Sequence, residues 1–258
     1  MKDLIICFSG TGNSYYVAKE IAKAQSHDNI IMLNELNNQK FEIPERLGLI
    51  FPIHMSREPF TVEKEMREAL SKVKDFTALK FLYIITTASI NSPGWAHIRV
   101  EKMFKDYGVA TTYVNNIKMP DNIINPTNKE RSEQLFLEAD VKIKNIIEDI
   151  KVEKIKFPKF KAFTRTYSNI SFLFNRYYAR NYSKNFIVTE ECISCKLCYK
   201  SCPANNITFE NGRPVFHNNC FACTNCINTC PTNAIKKKKD NGKRYKNPKG
   251  NFNHFYRS

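Results

Sequence analysis

Residues 4–14 read LIICFSGTGNS, and the fold turns on this stretch. Residues 4–8 are apolar and of strand length. Ser9, Gly10, Thr11, Gly12, Asn13 and Ser14 follow, and an amphipathic run begins within them. A turn of glycines and hydroxyls between the end of a strand and the start of a helix aims backbone N–H groups, and the positive end of the helix dipole, at an anion. The turn is not Gly-x-Gly-x-x-Gly, which disfavours a dinucleotide loop. It also lacks the lysine of a triphosphate-binding loop, which disfavours nucleoside-triphosphate hydrolysis. Working outward, Val17, Ala18, Ile21 and Ala22 lie on one side of a helix over 13–25. Strands are expected at 29–33, 47–51, 81–86 and 109–117, and helices at 62–73, 95–107 and 129–151. The run 81–86 is apolar throughout, as a strand buried on both faces should be. Leu135, Ala139, Ile143, Ile146 and Ile150 recur at helical spacing. Alternating strands and helices predict an α/β doubly wound parallel sheet.

Eight of the nine cysteines fall in two copies of one pattern, Cys-x2-Cys-x2-Cys-x3-Cys-Pro. The first holds Cys192, Cys195, Cys198, Cys202 and Pro203. The second holds Cys220, Cys223, Cys226, Cys230 and Pro231. This is the ligand spacing of two [4Fe–4S] clusters, in which each run gives three thiolates to one cluster and its last to the other. Cys192, Cys195, Cys198 and Cys230 are therefore assigned to the first cluster, and Cys202, Cys220, Cys223 and Cys226 to the second. Zinc prefers paired Cys-x2-Cys halves and has no need of the fourth Cys-Pro. Disulfides suit a small secreted chain, and no signal peptide is read here. CPANNI and CPTNAI echo each other, with Ile207 and Ile235 in matching places. An internal pseudo-twofold is expected, with the two isoleucines packed between the cubanes. Residues 186–236 resemble the bacterial-type two-cluster ferredoxins, which implies a small α+β module. The ninth cysteine, Cys7, reads as an inert buried thiol.

The turn at Ser9–Ser14 resembles the phosphate loop of flavodoxins, and that resemblance extends over residues 1–150. It implies strand order 2-1-3-4-5 and FMN as cofactor, with the phosphate on Ser9, Gly10, Thr11, Gly12, Asn13 and Ser14. The isoalloxazine would then lie at the ends of the third and fourth strands, at Pro52, Ile53, His54, Thr87, Ala88 and Ser89. His54 stands where that family often has an aromatic, Ala88 and Ser89 where it has glycines, and Trp95 lies further along.

The formal charge is +15, and it is concentrated. Residues 151–185 and residues 236–258 carry about +8 each. Both flank the cysteine module, where lysines balance anionic clusters or dock an acidic redox partner; nucleic acid is not favoured. Residues 151–185 interleave basic residues with Phe160, Phe163, Tyr167, Phe172, Phe174, Tyr177, Tyr178 and Tyr182, and read as a partly helical linker over 168–182. Contact with a membrane surface is the sharper alternative for this segment. Residues 237–258 read as a polar basic tail, mobile at its end. No apolar run approaches the ~18 residues that span a bilayer. Clusters, free thiols and the absence of a leader point to the cytoplasm, in an anaerobe.

The pairing of domains resembles the fused flavodoxin/ferredoxin proteins labelled EFR1-family. So do Met119-Pro120-Asp121-Asn122 and Arg244-Tyr245-Lys246-Asn247-Pro248. The expectation is an electron-transfer iron-sulfur flavoprotein with no catalytic acid–base pair, relaying electrons between clusters and FMN and on to a partner protein. The alternatives are an FMN-dependent reductase of a small oxidant such as a quinone, and a non-catalytic redox- or iron-responsive module on an empty flavodoxin-like fold.

Overall fold

Five apolar runs form one parallel sheet in the computed structural model. The model describes residues 3–38, 42–54, 59–90, 96–121, 127–158, 177–238 and 242–250. The strands are β1 (Asp3–Cys7), β2 (Ile30–Met32), β3 (Arg46–Pro52), β4 (Phe81–Ala88) and β5 (Tyr113–Lys118). Their spatial order is β2-β1-β3-β4-β5, the flavodoxin-like order, and all four pairings are parallel. Successive side chains of a strand point to opposite faces. Ile5 and Cys7 accordingly enter one core while Ile6 and Phe8 enter the other. Helices α1 (Asn13–Ala24) and α4 (Lys129–Lys151) close the first face, and α2 (Phe60–Ser71) and α3 (Ala96–Lys105) the second. Each buried Leu, Ile or Phe contributes roughly 1.5–3 kcal/mol, so two continuous cores fix the register of every strand. A one-residue slip would exchange their faces.

Two boundaries differ from the sequence reading. The fifth strand starts at Tyr113 rather than 109, because Gly108 turns the chain in the left-handed region at φ +76° after α3. Thr112 then bonds Leu82 through both its N–H and its hydroxyl, which sets the strand's start. The second strand is only three residues long, because a 3-10 turn at Leu33–Asn38 buries Leu33 and Leu36 instead of extending it. Trp95, Met55 and Ser56, the Asn122 end of its turn, and linker residues 159–176 lie outside the described residues. Residues 177–181 are helical.

The cysteine module has two short antiparallel pairings. β6 (Phe186–Val188) pairs antiparallel with β9 (Ile235–Lys237), and β7 (Ile207–Glu210) with β8 (Arg213–Phe216). Short helices α5 (Leu197–Lys200) and α6 (Asn225–Thr229) follow the two cysteine loops. Cys198, Ile207, Ile227 and Ile235 form its small core, with both predicted isoleucines inside.

Candidate functional site

The two cysteine loops share one backbone path. Ser194 and Lys196 take positive φ in the first, and Ala222 and Thr224 take it in the second. Asn205 and Asn233 repeat the feature after the fourth cysteines. A non-glycine residue in this region is uncommon and strained, so six such residues at matching places mark loops held to a special shape. That shape turns cysteine side chains inward. Backbone N–H groups also reach the sulfurs: Asn206 to Cys202 at 3.4 Å and Ala234 to Cys230 at 3.3 Å, at equivalent positions, and Ala222 to Cys220 at 3.3 Å.

Cys192, Cys195, Cys198 and Cys230 line one cavity, with Ile193, Phe209 and Ile235 among its walls. Burial pushes the Cys198 thiol up to about 12, and neighbouring Cys195, Cys230 and Cys192 add to the rise. Burial likewise raises Cys223, with Cys220 and Cys202 adding, and raises Cys226, with Cys223, Cys202 and Cys220 adding. Four sulfurs thus share one cavity, the fourth drawn from the other run, and Cys202 likewise acts electrostatically on Cys220, Cys223 and Cys226 of the second run. For Cys230, burial is outweighed by the Thr232 hydroxyl and the N–H groups of Ala234 and Ile235, which bring its pKa down. Among the described residues no three His, Cys, Asp or Glu converge tightly enough for a single metal ion. A cubane asks for wider spacing, since each thiolate binds a different corner. The residues fit such a group.

The glycine-hydroxyl loop is buried from Ser9 to Ser14, and protein covers it from two sides. Ser9 Oγ accepts from the Gly12 N–H at 3.1 Å, and the Ser14 and Thr87 hydroxyls lie 2.8 Å apart. On one side sits the second cysteine loop. A Cβ on Gly10 would lie 2.3 Å from the Cys223 carbonyl oxygen, so only glycine allows this approach. On the other side lies a strap, residues 244–250. Asn13 Oδ1 accepts from the Tyr245 hydroxyl at 2.6 Å and from Asn247 Nδ2 at 3.0 Å. Asn13 Nδ2 donates to the Pro120 carbonyl at 3.2 Å, and the Asn247 N–H donates to the Thr11 carbonyl at 2.9 Å. Gly250 packs on Gly12, which has φ 96°.

The strap also holds both domains. The Tyr245 N–H donates to Asn228 Oδ1 at 2.8 Å in α6, and Arg244 donates to the Ile235 carbonyl at 3.0 Å. Lys249 Nζ donates to Asp140 at 2.6 Å and stands over the Tyr16 ring. The reading of 237–258 as a polar basic tail does not include these bonds of the strap, and residues 251–258 lie outside the described residues. The strap's tyrosine and asparagines, set among lysines, were the available signal. The strap takes the Thr11 carbonyl and the Asn13 side chain and packs on Gly12, so it covers this face of the loop.

The predicted strand-end residues sit side by side. The Ile53 N–H donates to the Thr87 carbonyl at 2.8 Å, and Ala88 accepts from the Met119 N–H at 2.7 Å. Ser89 is exposed, Ala88, Pro52 and Ile53 are half-buried, and Thr87 is buried. His54 lies edge-on to Phe8, which lies edge-on to Phe221, both at 6.4 Å. Burial pushes the His54 pKa down to about 4, opposed by a hydrogen bond to the Phe221 backbone. Sequence reasoning missed Phe221, whose position inside the cysteine run hid its role as an anchor to the sheet. Cys7 is buried, and desolvation raises its pKa, in keeping with an inert thiol.

Residues 191–234 match the family model described as a 4Fe-4S dicluster domain. The match supports 4Fe–4S cluster binding by this segment and a part in electron transfer. No curated protein matches the chain. Among solved structures, the chain is similar to an FMN-dependent NADH-azoreductase from Bacillus anthracis in complex with FMN. That likeness has 11% identity, 58% of this chain and 99% of the other covered, and a TM-score of 0.40. It is similar to Trp repressor binding protein from Bacillus subtilis, at 18% identity, 54% and 96% coverage and a TM-score of 0.38. It is also similar to a flavodoxin from the domain Archaea, at 19% identity, 56% and 99% coverage and a TM-score of 0.32. The flavodoxin-like assignment itself stands on the strand order. Among the described residues no helix is long and apolar enough to cross a membrane.

Proposed function

We propose that the chain is an electron-transfer protein that carries two [4Fe–4S] clusters in residues 186–236 and exchanges electrons with FMN on a flavodoxin-like domain over 1–150. The observation that supports it most is the crossed gathering of cysteines. Cys192, Cys195 and Cys198 stand with Cys230, and Cys220, Cys223 and Cys226 with Cys202. Such clusters accept and donate one electron at a time. The chain's part is to fix eight thiolates, donate N–H groups to the sulfurs, and exclude water with Ile207, Ile227 and Ile235. N–H donation to sulfur stabilises the more negative state and so raises the potential. A cytoplasmic setting and a protein redox partner belong to the same proposal.

The Ser9–Ser14 loop would hold the FMN phosphate, and the strand ends at Pro52–His54 and Thr87–Ser89 its ring. The strap lies on Asn13 and Thr11 of that same loop. A specific observation therefore favours a second reading, in which the fold holds no flavin and the loop serves as a socket for strap and module. Anaerobic reconstitution with iron, sulfide and FMN separates the two. About eight irons and one flavin per chain support the relay. Eight irons and no flavin, even for Tyr245→Ala with its strap loosened, leave the socket reading. Fewer irons overturn both.

A further inference from the structure

The two cysteine sites stand in opposite surroundings. At the first, Cys195 is exposed, and Ile193 and Tyr199 are 64% and 42% exposed, unusual values for large apolar side chains beside a buried site. Lys196 and Lys200 on the same loop and helix are exposed, and among the described residues no carboxylate pairs with either. Nearby Glu190 and Glu191 already face Arg213 and Lys236. The rim is thus apolar with unmatched positive charge. At the second site, Cys223 is buried, and its carbonyl lies against Gly10. Cys223, Cys202, Ala204 and Phe221 belong to the same apolar cluster as Phe8, Phe51 and Leu49 of the sheet. One site opens to water, while the other is walled by the flavodoxin-like domain.

We propose that the site framed by Cys192, Cys195, Cys198 and Cys230 is the outward electron port. Its rim, Ile193, Lys196, Tyr199 and Lys200, docks an acidic one-electron carrier protein. The site framed by Cys202, Cys220, Cys223 and Cys226 is the inward one. This assignment rests on the two-cluster reading above. The step moves one electron and no atoms: the carrier's centre would be oxidised by one electron and the outward site reduced by one, and on transfer inward the outward site would be reoxidised as the inward site is reduced by one. Positive charge on the rim steers an acidic partner into place, and the apolar pair excludes water once it has docked.

The test uses the full chain after anaerobic reconstitution. An iron chelator is expected to remove iron in two phases, the faster one corresponding to the outward site. Cys195→Ala is expected to abolish the fast phase and keep the slow one. Lys196→Glu and Lys200→Glu are each expected to slow reduction by the dithionite radical anion about threefold and to speed reduction by a cationic viologen radical about as much. Lys105→Glu, at the end of α3, should change neither rate. Loss of the slow phase in Cys195→Ala, or rates insensitive to both rim charges, overturns the port while the unaltered chain still binds eight irons. A chain that never binds eight irons overturns the two-cluster reading beneath it. Since Cys195 is exposed, the chelator result on the unaltered chain decides the matter even if that variant fails to fold.

Discussion

Gly10 has no room for a methyl group: a Cβ would meet the Cys223 carbonyl oxygen at 2.3 Å and its Cβ at 3.0 Å. Gly10→Ala must displace the second cysteine loop, and overpacking of this kind costs about 1–3 kcal/mol. A lower urea midpoint is expected, together with faster chelation of the inward irons. Asn13 carries three side-chain bonds, to Tyr245, Asn247 and Pro120. Asn13→Ala strands their partners and should cost about 2 kcal/mol or more, while Tyr245→Phe removes one bond and should cost about 1. Hydrogen exchange over 244–250 would report the loosening, which should be larger in the first variant. His97 is buried on α3, and desolvation pushes its pKa down to about 4. With an unfolded value near 6.5, the unfolded chain binds the proton more readily, so stability is full above pH ~6.5 and falls as pH drops towards 4. His97 alone should lower the urea-unfolding stability by about 2 kcal/mol between pH 7 and pH 5, a share absent in His97→Leu, while His54 adds a loss of its own that the variant keeps.

At the scale of elements, the cysteine loops make the sharpest prediction. Cys230 is adjacent in sequence to the second run and in space to the first. Cys230→Ala should therefore deplete the site of Cys192, Cys195 and Cys198 and spare that of Cys220, Cys223 and Cys226. Iron analysis together with paramagnetic resonance would distinguish this from loss at the second site. Elements whose pattern is set by burial alone were legible in the sequence. Residues 81–87 are buried, as the apolar run 81–86 implied, and the helical spacing of Leu135, Ala139 and Ile143 points into the core. The two cysteine runs were legible because thiolate chemistry permits few spacings. The late start of β5 was not, because Val109–Thr112 has strand-forming residues and only Gly108's left-handed turn and the Thr112–Leu82 bonds delay it. The strap was missed for a different reason. Its partners on the loop lie more than two hundred positions away, and no periodicity within a polar segment announces them.

For the whole molecule, one apolar cluster joins the sheet to the cysteine module, so the two parts share a core rather than a tether. The strap adds polar bonds from the same surface to the loop, α6 and α4. Acid should weaken this contact, although burial of Asp140 works the other way. The Lys249 and Tyr16 bonds hold its carboxyl below the ordinary range, so its share of the stability is present above pH ~4 and lost only as pH falls through that lower value. Lys249→Ala should remove that share, read as a flatter acid limb in the unfolding profile. The sequence foresaw the charge of this region without its use: lysines beside anionic centres read equally well as counter-charge, docking face or solvated tail.

The first turn of α1 receives its closing bonds from residues 232 and 234 positions further along. During synthesis, at about 5–20 residues per second, the loop would emerge and wait roughly ten to fifty seconds for those partners. Through that interval the Ser9–Ser14 loop lies uncovered, and the finished surface of the first turn is made only when the last part of the chain arrives.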